Sequence, residues 1–280
     1  MSGGEGRPAK LASVGGGNMA QAILLGALGA GALGQRDIVV AEPDEVKRRA
    51  FEDAGVRSAA RIGDLRSSIG PGTSLLLAVK PQALGEVARE AREACGGTSR
   101  VVVSILAGAR GERVRGALGE WARVVRVMPN TPARVGRGVS AVTLSAGAER
   151  GDDALARRLL SAVGNVVDLE EELFDAFTGV AGSGPAYVFA LAEGMIAGAR
   201  EAGIPEGEAD RIVRGVIAGS AALLSEASGT RPADLRAAVT SKGGTTAAAL
   251  AVWEEAGVVE AIARAIVAAR DRGRELDAGG

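Results

Sequence analysis

Between Leu11 and Leu169 apolar runs of strand length alternate with helical stretches, and after about Glu172 the strand pattern stops. Such alternation implies parallel strands joined by crossover helices. Strands are expected at 11–14, 37–41, 74–79, 100–106, 123–127, 139–144 and 165–169, and helices at 19–28, 44–54, 81–94, 111–118 and 149–163. Runs such as Ser-Leu-Leu-Leu-Ala-Val at 74–79 are apolar throughout, as strands covered on both faces are. The expected fold is an α/β N-terminal domain with a mostly parallel, doubly wound sheet, followed by an all-α C-terminal domain. Its boundaries are read as a loose tail at 1–10, a nucleotide-binding domain at 11–170 and a helical domain at 171–276, with a second loose end after it.

The helical part is punctuated by prolines. Pro185 suits the first turn of a helix to about Ala202. A second helix runs from Pro205 to about Glu226, and a short one follows Pro232. The last spans about 244–275 with a break near Gly257. Small residues crowd these helices (Gly194, Ala197, Gly198, then Gly215, Ala218, Gly219) and let helix axes approach closely, which predicts packing across a subunit interface.

Composition removes several classes of function. With 33 basic and 34 acidic side chains, no net field attracts nucleic acid or a charged membrane. Only seven residues are aromatic, too few for base stacking. The single Cys95 excludes an internal disulfide and fits a reducing, cytoplasmic setting. There is no histidine, so the commonest general base and the commonest metal ligand are both missing, and no metal site is expected. Chemistry must then run on hydroxyls, backbone donors, carboxylates, lysines or a borrowed cofactor, and a nicotinamide brings its own hydride. The uncharged stretch 11–35 is long enough to span a bilayer, yet it holds seven glycines and reads as a buried strand–turn–helix rather than a membrane segment.

Gly15-x-Gly17-x-x-Ala20 follows the first strand and opens the first helix, so Gly15, Gly17, Asn18, Met19 and Ala20 are candidates to hold a pyrophosphate. The next strand ends in Glu42, about 22 residues past Ala20, where an acid commonly accepts from an adenosine ribose hydroxyl. It would also repel a 2′-phosphate, favouring NADH over NADPH. An ordinary loop acid beside Pro43 is the other reading. Ala78, Val79, Lys80 and Pro81 end a further strand on the same carboxyl edge, with Lys80 either near the cofactor or solvated. Ala107 and Asn130 close later strands there. Asn130 is the best side chain to hold a nicotinamide carboxamide, or else a turn-former between two prolines.

In the helical part, Ser183-Gly184-Pro185 and Thr240 to Thr246 look like a small anion pocket built on helix N-termini. Ser183 is either part of it or a plain helix cap. Gly243-Gly244-Thr245-Thr246 leaves amides and two hydroxyls unclaimed at the start of the last helix, a nest suited to a carboxylate.

Five segments together resemble the pyrroline-5-carboxylate reductase family over essentially the whole chain. They are Gly15-Gly16-Gly17-Asn18-Met19-Ala20; Ala78-Val79-Lys80-Pro81-Gln82; Arg126-Val127-Met128-Pro129-Asn130-Thr131-Pro132; Asp175-x-x-Thr178 with Gly182-Ser183-Gly184-Pro185-Ala186-Tyr187; and Leu235-Arg236-x-x-Val239 running into Thr240–Thr246. The resemblance implies a Rossmann domain, a helical domain through which subunits dimerise or build larger rings such as a decamer, and reduction of 1-pyrroline-5-carboxylate to L-proline by NADPH or NADH. It implies that amides around Ser241, Gly244 and Thr245 hold the substrate carboxylate and that Thr246 is the catalytic hydroxyl on the ring nitrogen. Two departures stand out: Lys242 where the family often has proline, and 61–64 without the asparagine the family often offers to the cofactor. Two other readings share the domain plan. A β-hydroxyacid dehydrogenase relies on a lysine in the helical half, where only Lys242 stands, in a loop; the other is a non-catalytic nucleotide-binding protein.

Overall fold

In the computed structural model, which describes residues 7–278, a single eight-stranded sheet organises the first part of the chain. In chain order the elements are β1 Leu11–Val14, α1 Asn18–Gly29, β2 Ile38–Ala41, α2 Glu45–Asp53, β3 Arg57–Ala59, β4 Ser74–Leu77, α3 Leu84–Cys95, β5 Arg100–Ser104, α4 Gly111–Leu118, β6 Ala122–Met128, β7 Gly138–Leu144, α5 Ala154–Ser161 and β8 Gly164–Asp168. The strand order is β3-β2-β1-β4-β5-β6-β7-β8, so the winding reverses between β1 and β4. Ligands of doubly wound sheets bind at that reversal, beyond the carboxyl ends of the strands.

Alternation along each strand splits the core into two layers. Leu75 and Leu77 pack with Ala88, Ala91 and Val114 of α3 and α4 on one face. Leu76 packs with Ile23, Leu24, Phe51 and Leu160 of α1, α2 and α5 on the other. The uncharged stretch 11–35 thus becomes β1, a glycine loop and α1, with Ile23, Leu24 and Ala27 at most 2% exposed.

Three expectations change. β7 runs antiparallel to β6, because only residues 129–137 separate them, too few for a crossover helix. The helix expected at 149–163 begins only at Ala154: Gly151 has φ +98°, and Asp152 holds the preceding turn by accepting from Glu149 N (2.9 Å) and from the Arg123 guanidinium (2.9 and 3.1 Å). The short β3 has no apolar run to betray it and pairs only with β2, at the sheet edge.

After β8 the chain is helical: α6 Phe174–Phe177, a π-helical turn Thr178–Gly182, α7 Gly184–Glu201, α8 Glu206–Glu226, α9 Pro232–Ala238, α10 Thr245–Glu255 and α11 Val258–Ala278. The described residues form two compact units, one reaching Gly182 and including the chain from Ala269 onward, the other Ser183–Ala268. In the second unit only Ala209 and Val213 are buried hydrophobics, whereas Phe189 and Val252 are each 64% exposed. By length and composition 171–201 could cross a membrane, at mean hydropathy 1.2. Of the expected loose ends, residues 1–6 and 279–280 lie outside the described residues, while α11 continues to Ala278.

Candidate active site

Within the first unit, β1, β2 and β4 end on a cleft of 850 Å³. Gly15, Gly17, Glu42, Ala78, Val79 and Lys80, all candidates from the sequence, line it together with Lys47, Arg61 and Ile62. The volume is within the range of cofactor pockets. Gly15 needs its glycine, since φ is +98° and a Cβ would run into the Ala78 carbonyl oxygen. Gly17 stands before α1 with open space where a Cβ would be, and no side chain caps the helix. The amides of Asn18, Met19 and Ala20 lie in the first turn, where N–H groups have no intrahelical acceptor. These features fit a pyrophosphate. Asn18, Met19, Ala20, Pro81, Ala107 and Asn130 do not line the cleft itself; Ala107 is an exposed turn residue.

Glu42 is 7% exposed, and both carboxylate oxygens accept backbone N–H groups: Oε2 from Gly16 (2.7 Å) and Oε1 from Asp44 (3.0 Å). Of the cations near it, Lys80 has no ion pair among the described residues, while the others are engaged. The Lys47 ammonium lies 3.2 Å from Asp44, Arg61 is 2.7 Å from Glu90, and Arg48 donates to the carbonyls of Glu42 and Pro43.

Asn130, expected to hold a nicotinamide carboxamide, is engaged within the protein at both ends of its side-chain amide. It is 7% exposed, Oδ1 accepts from Val139 N (2.9 Å), and Nδ2 donates to the Ala181 carbonyl (3.1 Å). Its side-chain amide ties the end of β6 to the π-helical turn. Two other residues at alternate positions in β6 reach the segment 171–182 that contains this turn. Arg126 pairs with Glu171 (3.0 Å) and lies 4.8 Å from the centre of the Phe174 ring, and the Met128 side chain approaches Gly182. Sequence reading missed Glu171, which also accepts from Gly111 N (2.8 Å) and the Ser145 hydroxyl (2.5 Å). Only the acidic run Glu170-Glu171-Glu172 hinted at it.

In the second unit, Ser241 to Gly244 form a turn into α10. Gly243 has φ +71°, a backbone conformation that favours glycine, and a Cβ on Gly244 would force the Ser241 hydroxyl to turn away. The Gly244 amide donates to the Ser241 carbonyl (3.0 Å) and is therefore already engaged. No side chain caps α10, which leaves the amides of its first turn, Thr245 and Thr246 among them, available. Neither the Thr245 nor the Thr246 hydroxyl has a hydrogen-bond partner among the described residues; Thr246 is half-buried and Thr245 exposed. Lys242 lies in the turn and not on a helix face. Ser183 stands at the N-cap position of α7, where its hydroxyl makes no cap bond.

Residues 171–276 match the family model described as pyrroline-5-carboxylate reductase dimerisation, and 10–108 match that of NADP oxidoreductase, coenzyme F420-dependent. The chain is 39% identical over 269 residues to a pyrroline-5-carboxylate reductase of Synechocystis sp., covering 95% of this chain and 98% of that one. A reductase of the same name from Haemophilus influenzae is 37% identical, at 95% and 97% coverage. The solved pyrroline-5-carboxylate reductase of Coxiella burnetii superposes with a TM-score of 0.85 at 29% identity, covering 96% of this chain and 99% of that one.

Proposed function

The chain belongs to the pyrroline-5-carboxylate reductase family, and from that premise we propose that it reduces 1-pyrroline-5-carboxylate to L-proline with NAD(P)H, as a homo-oligomer. The observation that carries the chemistry on this chain is the uncapped start of α10. Its free amides and two unpartnered hydroxyls suit an anion and a polar ring atom side by side.

A reduced nicotinamide supplies the hydride. The first-turn amides of α10, beginning with Thr245, hold the substrate carboxylate; Ser241 and the two glycines shape the turn that presents them, and Lys242 adds a positive charge to that turn. The Thr246 hydroxyl hydrogen-bonds the ring nitrogen. A cyclic imine is basic enough to arrive protonated, so no strong acid is needed, in keeping with a chain that has no histidine. The protein's contribution is then chiefly orientation of the reacting atoms. The open Gly17 and the first amides of α1 receive the pyrophosphate, with Lys80 at the cleft's rim.

Within that reading NADH is the favoured cofactor. Support comes from the Glu42 carboxylate in the cleft and from the pairing of Lys47 and Arg61 with acids, which leaves a 2′-phosphate facing a negative charge. The test is cofactor oxidation measured with pyrroline-5-carboxylate and, separately, with β-hydroxyacids. Turnover of the imine alone, with a lower KM for NADH than for NADPH, is expected. Cofactor binding without turnover of any of them would overturn the assignment, and a clear NADPH preference would overturn the cofactor reading alone.

A further inference from the structure

We infer that Glu42 is a positioning residue of the phosphate loop, holding the Gly16 peptide in place for either nicotinamide cofactor and not only meeting the adenosine ribose. The inference rests on the reading of the 850 Å³ cleft as the cofactor site.

The loop's first two residues have all their backbone polar groups engaged within the protein. Gly15 N donates to the Ala41 carbonyl (2.8 Å), and the Gly15 carbonyl accepts from the Ser13 hydroxyl (2.7 Å). Gly16 N donates to Glu42 Oε2 (2.7 Å), and the Gly16 carbonyl accepts from Gln21 Nε2 (3.0 Å). Gly16 is therefore gripped on both sides of its Cα by side chains, one from the end of β2 and one from α1. It also sits against Phe51, which is fully buried: a Cβ there would come within 2.9 Å of that ring.

Glu42 is itself fixed. Its amide donates to the Ala59 carbonyl (2.9 Å), its carbonyl accepts from Arg48 (2.8 Å), and its second carboxylate oxygen accepts from Asp44 N. Two consequences follow. Gly15 and Gly16 are framework, and the anion's donors begin at Gly17, Asn18 and Met19. Because Gly16 immediately precedes the first free amide, the bond to Glu42 sets the direction in which the Gly17 peptide starts.

This role is separable from charge repulsion and from ribose recognition. Glu42→Gln and Glu42→Ala both remove the negative charge, but only glutamine retains an oxygen able to accept from Gly16 N. NADPH carries a phosphate on the ribose hydroxyl that an acid would otherwise recognise, so its affinity does not report that contact.

The experiment measures the Kd of NADH and NADPH for the wild-type chain and both variants, together with amide hydrogen exchange of residues 15–20 without cofactor. We expect NADPH and NADH each to bind Glu42→Ala about tenfold more weakly than Glu42→Gln, a difference of about 1.4 kcal/mol. Exchange at the loop should be fastest in Glu42→Ala, with Glu42→Gln between it and the wild type, because glutamine's single oxygen can accept from Gly16 N but then leaves Asp44 N without its acceptor. Equal NADPH affinities in the two variants with unchanged exchange would reduce Glu42 to a ribose contact and overturn the inference. Tighter NADPH binding by Glu42→Ala than by Glu42→Gln would also overturn it, since the carboxylate would then be competing with phosphate for the Gly16 amide. If no form binds either cofactor, the function proposed above fails, while the exchange data still decide whether Glu42 holds the loop.

Discussion

Thr246→Ala removes the hydroxyl, together with the neighbouring methyl, and keeps the backbone amide at the start of α10. A hydrogen bond to a charged group contributes roughly 1.5–3 kcal/mol, or about tenfold to a hundredfold in rate. A drop of that size in kcat/KM for pyrroline-5-carboxylate is expected, with NADH affinity and Tm nearly unchanged and Thr245→Ala costing less. Full activity in Thr246→Ala would remove the hydroxyl from the mechanism. Asn130 makes the opposite case, since both ends of its amide are bound to backbone in a nearly closed site. Asn130→Ala strands the Val139 N–H and the Ala181 carbonyl and should lower unfolding free energy by about 1–3 kcal/mol in urea titrations. Asn130→Asp retains the acceptor but sets an oxygen against the Ala181 carbonyl, so it should not recover that loss. Unchanged stability with a raised cofactor Kd would return Asn130 to the nicotinamide.

Between elements, Glu171 joins the start of α4, strand β6, the end of β7 and the segment leading to α6 through its bonds to Gly111, Arg126 and Ser145. Burial raises its pKa, but the Ser145 and Gly111 hydrogen bonds and the Arg126 charge outweigh this and hold the carboxyl below the usual glutamate range. A group whose folded pKa is depressed contributes stability that is complete above its unfolded pKa and is lost as pH falls through the folded one. Acidification into and below the ordinary glutamate range should therefore lower Tm more steeply in the wild type than in Glu171→Gln, the variant being the less stable at neutral pH. Parallel Tm curves would show that the carboxylate's charge contributes nothing there. Residues such as Glu171 also mark where sequence reading ended. Periodicity located seven of the eight strands and most helices, because two-sided burial writes continuous apolar runs into β1, β2 and β4. It missed β3, whose Arg-Ser-Ala lies at an edge, and began α5 too early, because an arginine 29 residues away shapes the turn before it. The glycines and Glu42 were legible by spacing. The bond from Gly16 to Glu42 and that from Asn130 to Ala181 span 26 and 51 residues, separations that no local pattern encodes.

At the scale of the whole molecule, the helical unit does not bury its own apolar surface. Helix α7 has no buried residue, and α8 has only Ala209 and Val213. Val188, Phe189, Val216, Leu223, Val252, Trp253, Val259 and Ile262 are each at least 40% exposed. Apolar surface on that scale is uncommon on a stable monomer and marks an interaction face. The match of 171–276 to the family's dimerisation region identifies the partner as a second copy of this chain. An interface that supplies a missing core belongs to the obligate class, which buries about 2,000 Å² or more in total. Folding of this unit and association should therefore occur together, with a Tm that rises with protein concentration. Light scattering at micromolar concentration is expected to show a dimer or a larger assembly, and dilution should remove activity in step with dissociation. A charge at the most exposed aromatic position, Phe189→Glu, has little native burial to lose within one chain, so it should leave the nucleotide-binding unit folded and able to bind NADH while abolishing assembly and turnover. A stable monomer with full activity, in the wild type or in Phe189→Glu, would show that the helical unit stands alone and that its exposed apolar faces serve something other than a second copy.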